Sequence, residues 1–164
     1  MPIQTMKTLL LGMGNPILCD DAVGVRLARD FKRELEGFRE LDVFEDCSVG
    51  GLNLLDVFSG YQRVVVLDSI RTSEGIPGDW YYFTADALRE TVHLTNVHDA
   101  NFATAMELGR ALGLPLPLPN DIHIFAVEAK ENWTFSEQMT PELETAYGCF
   151  APGILGEIRK LLQT

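Results

Sequence analysis

Three observations predict an α/β fold: a three-layer αβα sandwich whose mostly parallel, five-stranded twisted sheet carries one antiparallel edge strand. Strand-like and helix-like patterns take turns along the chain. The strand-like KTLLLGM and VVVLD are continuous apolar runs, which suits strands covered by helices on both faces. A Gly-Met-Gly-Asn turn then leads from the first of these runs into an amphipathic pattern, as in doubly wound sheets. With 164 residues and 46% apolar content, the chain suits one domain over residues 1–164.

The elements follow in order. Residues 7–13 (KTLLLGM) form a short apolar strand ending at glycine and methionine. From Asp20, the apolar positions Val23, Leu27, Phe31 and Leu35 recur every four residues between charged ones, which predicts a helix with one buried face. Residues 41–46 (LDVFED) alternate as a strand does, and LNLLDVFSG reads as a short helix stopped by Gly60. VVVLD at 64–68 is rich in β-branched residues and closes on an acid, so it is expected at the centre of the sheet. After the turn-rich SEGIPGD, WYYFT at 80–84 reads as an aromatic strand on an antiparallel edge.

A helix from about Ala100 to Leu112 presents Phe102, Ala105, Met106, Gly109 and Leu112 inward. GLPLPLPN breaks the chain, IHIFAVEA at 122–129 supplies a fifth strand, and the last segment reads as a helix interrupted between Gly148 and Pro152.

Charge limits the partners. There are 24 acidic residues against 13 basic ones, a net charge of -11 that repels phosphate backbones and anionic headgroups. Neither nucleic acid nor a membrane surface is expected as a partner. No apolar run approaches the roughly 18 residues of a bilayer span, and MPIQTMK lacks the apolar core of a signal peptide, so a cytoplasmic protein is expected. Cys19, Cys47 and Cys149 are odd in number and widely spaced, which predicts reduced thiols and no disulfide or CxxC site.

In an open α/β sheet, ligands gather outside the carboxyl ends of the strands. Asp21 follows the first strand there and Asp68 ends the third, which the usual strand order sets beside the first. Two carboxylates sharing one crevice repel unless a cation or proton lies between them, so the pair points to a metal. Of the three histidines, His98 in TNVHDANFATA sits at a helix entrance and is the one placed to reach that edge. His93 and His123 read as ordinary structural or exposed residues. Two carboxylates and an imidazole suit a borderline ion such as nickel, zinc or cobalt. The competing reading has Asp20 and Asp21 capping a helix and Asp68 merely ending a strand. A nucleotide-binding module on a Rossmann-like fold is the other class, but GxGxxG needs glycine where the chain has Ile17, and the acids oppose phosphate. Cys19 has only acids and apolar residues around it in the chain and lacks the base a thiol nucleophile needs.

GMGNPILCDDAVG resembles the GxGNxxxxDDGxG signature of the hydrogenase maturation proteases, with Ala22 standing where the signature has glycine. DCSVGGLNLLDVFSGYQRVVVLDSI, HDANFATAMELG and IFAVEAKENWTFSEQMTPELETA resemble further blocks of that family, in the same order. The resemblance implies an endopeptidase that removes the C-terminal extension of the [NiFe] hydrogenase large-subunit precursor after nickel insertion. It implies Asp21, Asp68 and His98 as the metal-ligating and catalytic residues, and nickel as an ion borne by the substrate, with another divalent metal an option in the free protein. Gly12, Gly14 and Asn15 are expected to form a loop along the bound tail, with Asn15 bonding its own backbone. A monomer is expected, and a non-proteolytic docking module on the same fold is the remaining alternative.

Overall fold

The computed structural model describes residues 6–48, 50–87 and 97–164. Its five strands are β1 (Thr8–Met13), β2 (Leu41–Cys47), β3 (Arg63–Ile70), β4 (Trp80–Thr84) and β5 (Ile122–Glu128), in the spatial order β2-β1-β3-β5-β4. The first four in that row run parallel and β4 joins β5 antiparallel, at the edge. The helices are α1 (Val23–Glu34), α2 (Asn53–Phe58), α3 (Val97–Ala111) and α4 (Pro141–Leu162), and a 3-10 turn over Cys19–Ala22 leads into α1.

Alternation along the strands sorts the core into two layers. Leu10, Val65, Leu67, Phe125 and Val127 face α1 and α4, meeting Leu27, Phe31, Leu143, Phe150 and Ile154. Leu9, Leu11, Val64, Val66 and Ile122 face α2 and α3, meeting Leu54, Phe58, Phe102 and Met106. The sheet is therefore covered on both sides, which is why β1 and β3 are continuous apolar runs. β4 is covered less; Tyr81 and Tyr82 remain exposed, as an edge allows.

Glycine sets how closely α1 lies on the sheet. A Cβ on Gly24 would stand 2.2 Å from the carbonyl oxygen of Leu67, and one on Gly12 would stand 2.7 Å from the Ala28 Cβ and 2.6 Å from the Glu45 carbonyl oxygen. Both positions are filled by neighbouring backbone or side chain, so only glycine fits.

Two expectations are corrected. α4 runs without interruption from Pro141 to Leu162 although Pro152 lies inside it. Gly148 and Pro152 both lie on its exposed face, where water can serve the carbonyl that proline leaves without a donor, while Leu143, Tyr147, Phe150, Ile154 and Ile158 pack on the opposite face. Packing along that stripe outweighs one lost hydrogen bond. Leu112 is 68% exposed, since it follows the last residue of α3, Ala111, and lies one helical turn on from Leu108, which is itself exposed on the outer face.

Candidate functional site

The chain passes from β1 out to β2 and returns to β3 on the other side of β1. The connections leaving β1 and β3 thus diverge, opening a crevice at the carboxyl ends of these strands. A cleft of about 240 Å³ lies there, lined by Met13, Gly14, Asn15, Leu18, Asp21, Cys47, Ser48 and Asp68. Asp21 and Asp68, separated by most of a βαβ unit, share it.

Local chemistry orients both acids. The Asp21 carboxylate accepts the Asn15 backbone N–H through Oδ2 at 2.8 Å and the Ser69 hydroxyl through Oδ1 at 3.0 Å. Asp68 accepts the Ser69 N–H through Oδ1 at 2.8 Å. Ser69 therefore touches both carboxylates, one with its hydroxyl and one with its amide. Sequence reasoning missed it, although its place directly after the strand-closing acid was the available signal. Asn15 folds the loop on itself, its Oδ1 accepting the Ile17 N–H at 3.1 Å, as expected of asparagine in a turn.

The glycine turn is tight for its own reasons. Gly14 has φ +130, and a Cβ there would stand 2.0 Å from the Asp21 carbonyl oxygen. Gly14 lines the cleft, whereas Gly12 is buried between α1 and β2 and is not among the lining residues. The Asn15 amide, which a phosphate would need in a nucleotide cradle, is already given to Asp21.

The two acids of the pair have separate tasks. Asp20 is completely buried, and no side-chain cap bond forms at the start of the 3-10 turn or of α1. Its carboxylate instead reaches a segment more than a hundred residues later. Oδ1 accepts the Thr140 N–H at 2.7 Å; Oδ2 accepts the Thr140 hydroxyl at 2.9 Å and the backbone N–H groups of Lys130 and Glu131 at 2.9 and 3.3 Å. The capping reading of Asp20 is thereby replaced: the turn's amides are not its partners because the side chain points into the protein.

Among the described residues, no group of three or more His, Cys, Asp or Glu stands ready to hold an ion. Asp21 and Asp68 are brought together. His98 lies in the first turn of α3, not in a loop before it; the helix covers the α2/α3 face, toward which strand alternation also directs Asp68. Its side chain and the whole of His93 lie outside the described residues. His123 is buried in β5, with Nδ1 2.8 Å from the Tyr82 hydroxyl, far along the strand from the cleft.

Cys19 sits beside the site with a left-handed φ of +50. Burial first, then the neighbouring Glu131 and Asp20, push its thiol up to about 11, so it is held protonated and unreactive. Cys19 and Cys47 are buried, Cys149 is exposed, and none of the three forms a disulfide. No helix among the described residues is long and apolar enough to cross a membrane.

A family model described as hydrogenase maturation protease (HycI) matches residues 25–150, a span that holds Asp68 and His98 and begins just after the acidic pair. By sequence alone, no curated protein matches the chain. In fold it is similar to the hydrogenase maturating endopeptidase HybD from E. coli, with a TM-score of 0.72 and 20% identity over 94% of this chain and 93% of that one. The [NiFe] hydrogenase maturation protease HybD from Thermococcus kodakarensis gives 0.69 and 21% identity, over 96% and 99%. HycI from Thermococcus kodakarensis KOD1 gives 0.67 and 16% identity, over 99% and 96%. The structural likeness carries the fold, and the family model, which covers most of the chain, carries the kinship: the chain belongs to the hydrogenase maturation protease family and is a hydrogenase maturation endopeptidase.

Proposed function

We propose that this peptidase removes the C-terminal extension of a [NiFe] hydrogenase large-subunit precursor, and that it recognises nickel already inserted in that precursor through Asp21, Asp68 and His98. The observation that supports this most is the shared cleft of Asp21 and Asp68 at the switch point between β1 and β3. Two carboxylates with no cationic side chain among the lining residues form a site that favours a positive charge. Carboxylate and imidazole are harder ligands than thiolate, so they can complete an ion's coordination without stripping it from cysteines of the precursor. An ion delivered in this way supplies positive charge and Lewis acidity beside the bond to be cut.

The chain's own part is positional. The Asn15 N–H and the Ser69 hydroxyl each donate one hydrogen bond to Asp21, which fixes the carboxylate and leaves lone pairs on both oxygens for the cleft. A monomeric, cytoplasmic enzyme acting on a single folded precursor is consistent with its net charge of -11 and with the lack of a membrane-crossing helix among the described residues.

The test is incubation with nickel-loaded and nickel-free precursor, followed by intact mass. Loss of one C-terminal peptide from the nickel-loaded form alone is expected; an unchanged mass for folded, nickel-bound precursor would falsify the proposal. Asp21→Asn and Asp68→Asn are expected to abolish processing at a nearly unchanged melting temperature, and the double variant to lose little more, because groups that act as a unit are not additive. Processing near the normal rate by either single variant removes that residue from the site.

A further inference from the structure

Asp20 offers the strongest use of a group that the site itself does not include. It is buried and accepts four hydrogen bonds from the 129–140 connection, with the thiol of the adjoining Cys19 at 3.9 Å as a further donor, yet it adjoins in sequence a residue that lines the cleft. Consecutive residues of a 3-10 turn point about 120° apart, so the direction of one side chain fixes that of the next. We infer that Asp20 is a positioning residue for Asp21: its carboxylate bolts the Cys19–Ala22 turn to the connection before α4 and so aims Asp21 into the cleft. The inference rests on the reading of Asp21 as a site residue and extends it.

Three further observations support it. The two segments are also joined by backbone, with the Ser136 N–H donating to the Ile17 carbonyl at 2.9 Å and the Cys19 N–H to the Ser136 carbonyl at 2.9 Å. Cys19, between that bridge and Asp20, holds a left-handed φ of +50, a conformation that persists in a residue other than glycine only where its surroundings impose it. Four donors of the connection converge on one buried carboxylate, and Thr140 supplies two of them from the position just before α4. Remaking this clamp with an amide would set an NH₂ group against N–H donors, so Asp20→Asn breaks it while keeping its volume.

The experiment compares wild type, Asp20→Asn, Thr140→Val and Thr140→Ser, using nickel-loaded precursor for kinetics and amide hydrogen exchange for geometry. The Asn15 amide donates to Asp21 Oδ2 and so reports where that carboxylate lies. For Asp20→Asn we expect kcat to fall about a hundredfold with KM little changed, as for a reacting group misplaced by about 1 Å. Exchange at Asn15 should quicken together with that at Lys130 and Thr140. Thr140→Val should move both readouts in the same direction, and Thr140→Ser, which keeps the hydroxyl, should restore them. The Thr140 pair carries the test if Asp20→Asn does not fold. Faster exchange at Lys130 and Thr140 with Asn15 unchanged would make the clamp purely structural and overturn the inference, as would a normal kcat in a variant whose clamp is open. Asp21→Asn separates the two proposals: if it processes precursor normally the site reading fails, while Asn15 exchange in Asp20→Asn still decides whether Asp20 aims Asp21.

Discussion

Gly14 shows how a single residue type can be required for two independent reasons. Its φ of +130 is a left-handed region that costs other residues about 1–3 kcal/mol, and the Cβ position lies 2.0 Å from the Asp21 carbonyl oxygen. Gly14→Ala is therefore expected to lower the melting temperature and the processing rate together, because the turn must open to admit the methyl group. Equal stability with lost activity would instead place the loop against substrate. His123 gives a pH signature at the far end of the sheet. Burial first, then the Arg63 guanidinium, lower its pKa from 6.5, with Asp121 opposing and the Tyr82 hydroxyl at Nδ1. A group protonated less readily when folded binds more protons unfolded, so its stabilising contribution is complete above pH 6.5 and is lost as pH falls below it. Chemical denaturation across that range should show a shallower loss toward acid for His123→Gln than for wild type.

At the scale of the element, α4 sets local propensity against packing. A proline in a helix interior costs about 3 kcal/mol, yet one turn of α4 accepts Pro152 because its ring and the Gly148 carbonyl both face water. Restoring the missing donor should thus be favourable. Pro152→Ala is expected to stabilise the protein by roughly 1–2 kcal/mol, the gain in the helix being offset in part by greater freedom of the unfolded chain. Urea unfolding measures it, and a destabilised variant would mean that the ring itself packs usefully. The element that joins the site to the rest is the connection before α4. It hangs on Asp20, and the Lys130–Glu142 ion pair ties its start to the first turn of the helix.

Across the whole molecule, acidic charge is only partly compensated by local pairing. The described ion pairs, such as Arg26–Glu144 at 2.7 Å and Arg159–Glu34 at 3.0 Å, join largely exposed side chains and contribute at most about 1 kcal/mol each. They leave a net charge of -11 to repel itself across the surface. Salt weakens both effects, and the unmatched acids are the larger set. The melting temperature is expected to rise as salt increases from about 0.01 M to about 0.15 M, where the screening length shortens to about 8 Å. A falling melting temperature would show that the surface pairs dominate.

Much of the architecture was legible in the residues themselves. Apolar runs without alternation marked β1 and β3 as covered on both faces, the period of Val23, Leu27, Phe31 and Leu35 marked the buried stripe of α1, and the aromatic WYYFT marked the edge. These patterns are written locally, because strand and helix periods depend only on which residues must leave water. The switch-point rule then named Asp21 and Asp68, and the cleft brings them together. What the residues could not disclose is whether Asp20 caps the turn it starts or anchors it to a distant segment. That choice depends on donors more than a hundred positions away: the amides of Lys130, Glu131 and Thr140 reach Asp20 only once β5 and α4 have packed. The continuity of α4 and the exposure of Leu112 belong to the same class, since each is decided by which face the finished core leaves open to water. Periodicity assigns a residue to an element; burial and long-range hydrogen bonding, which exist only in the folded chain, assign it a task.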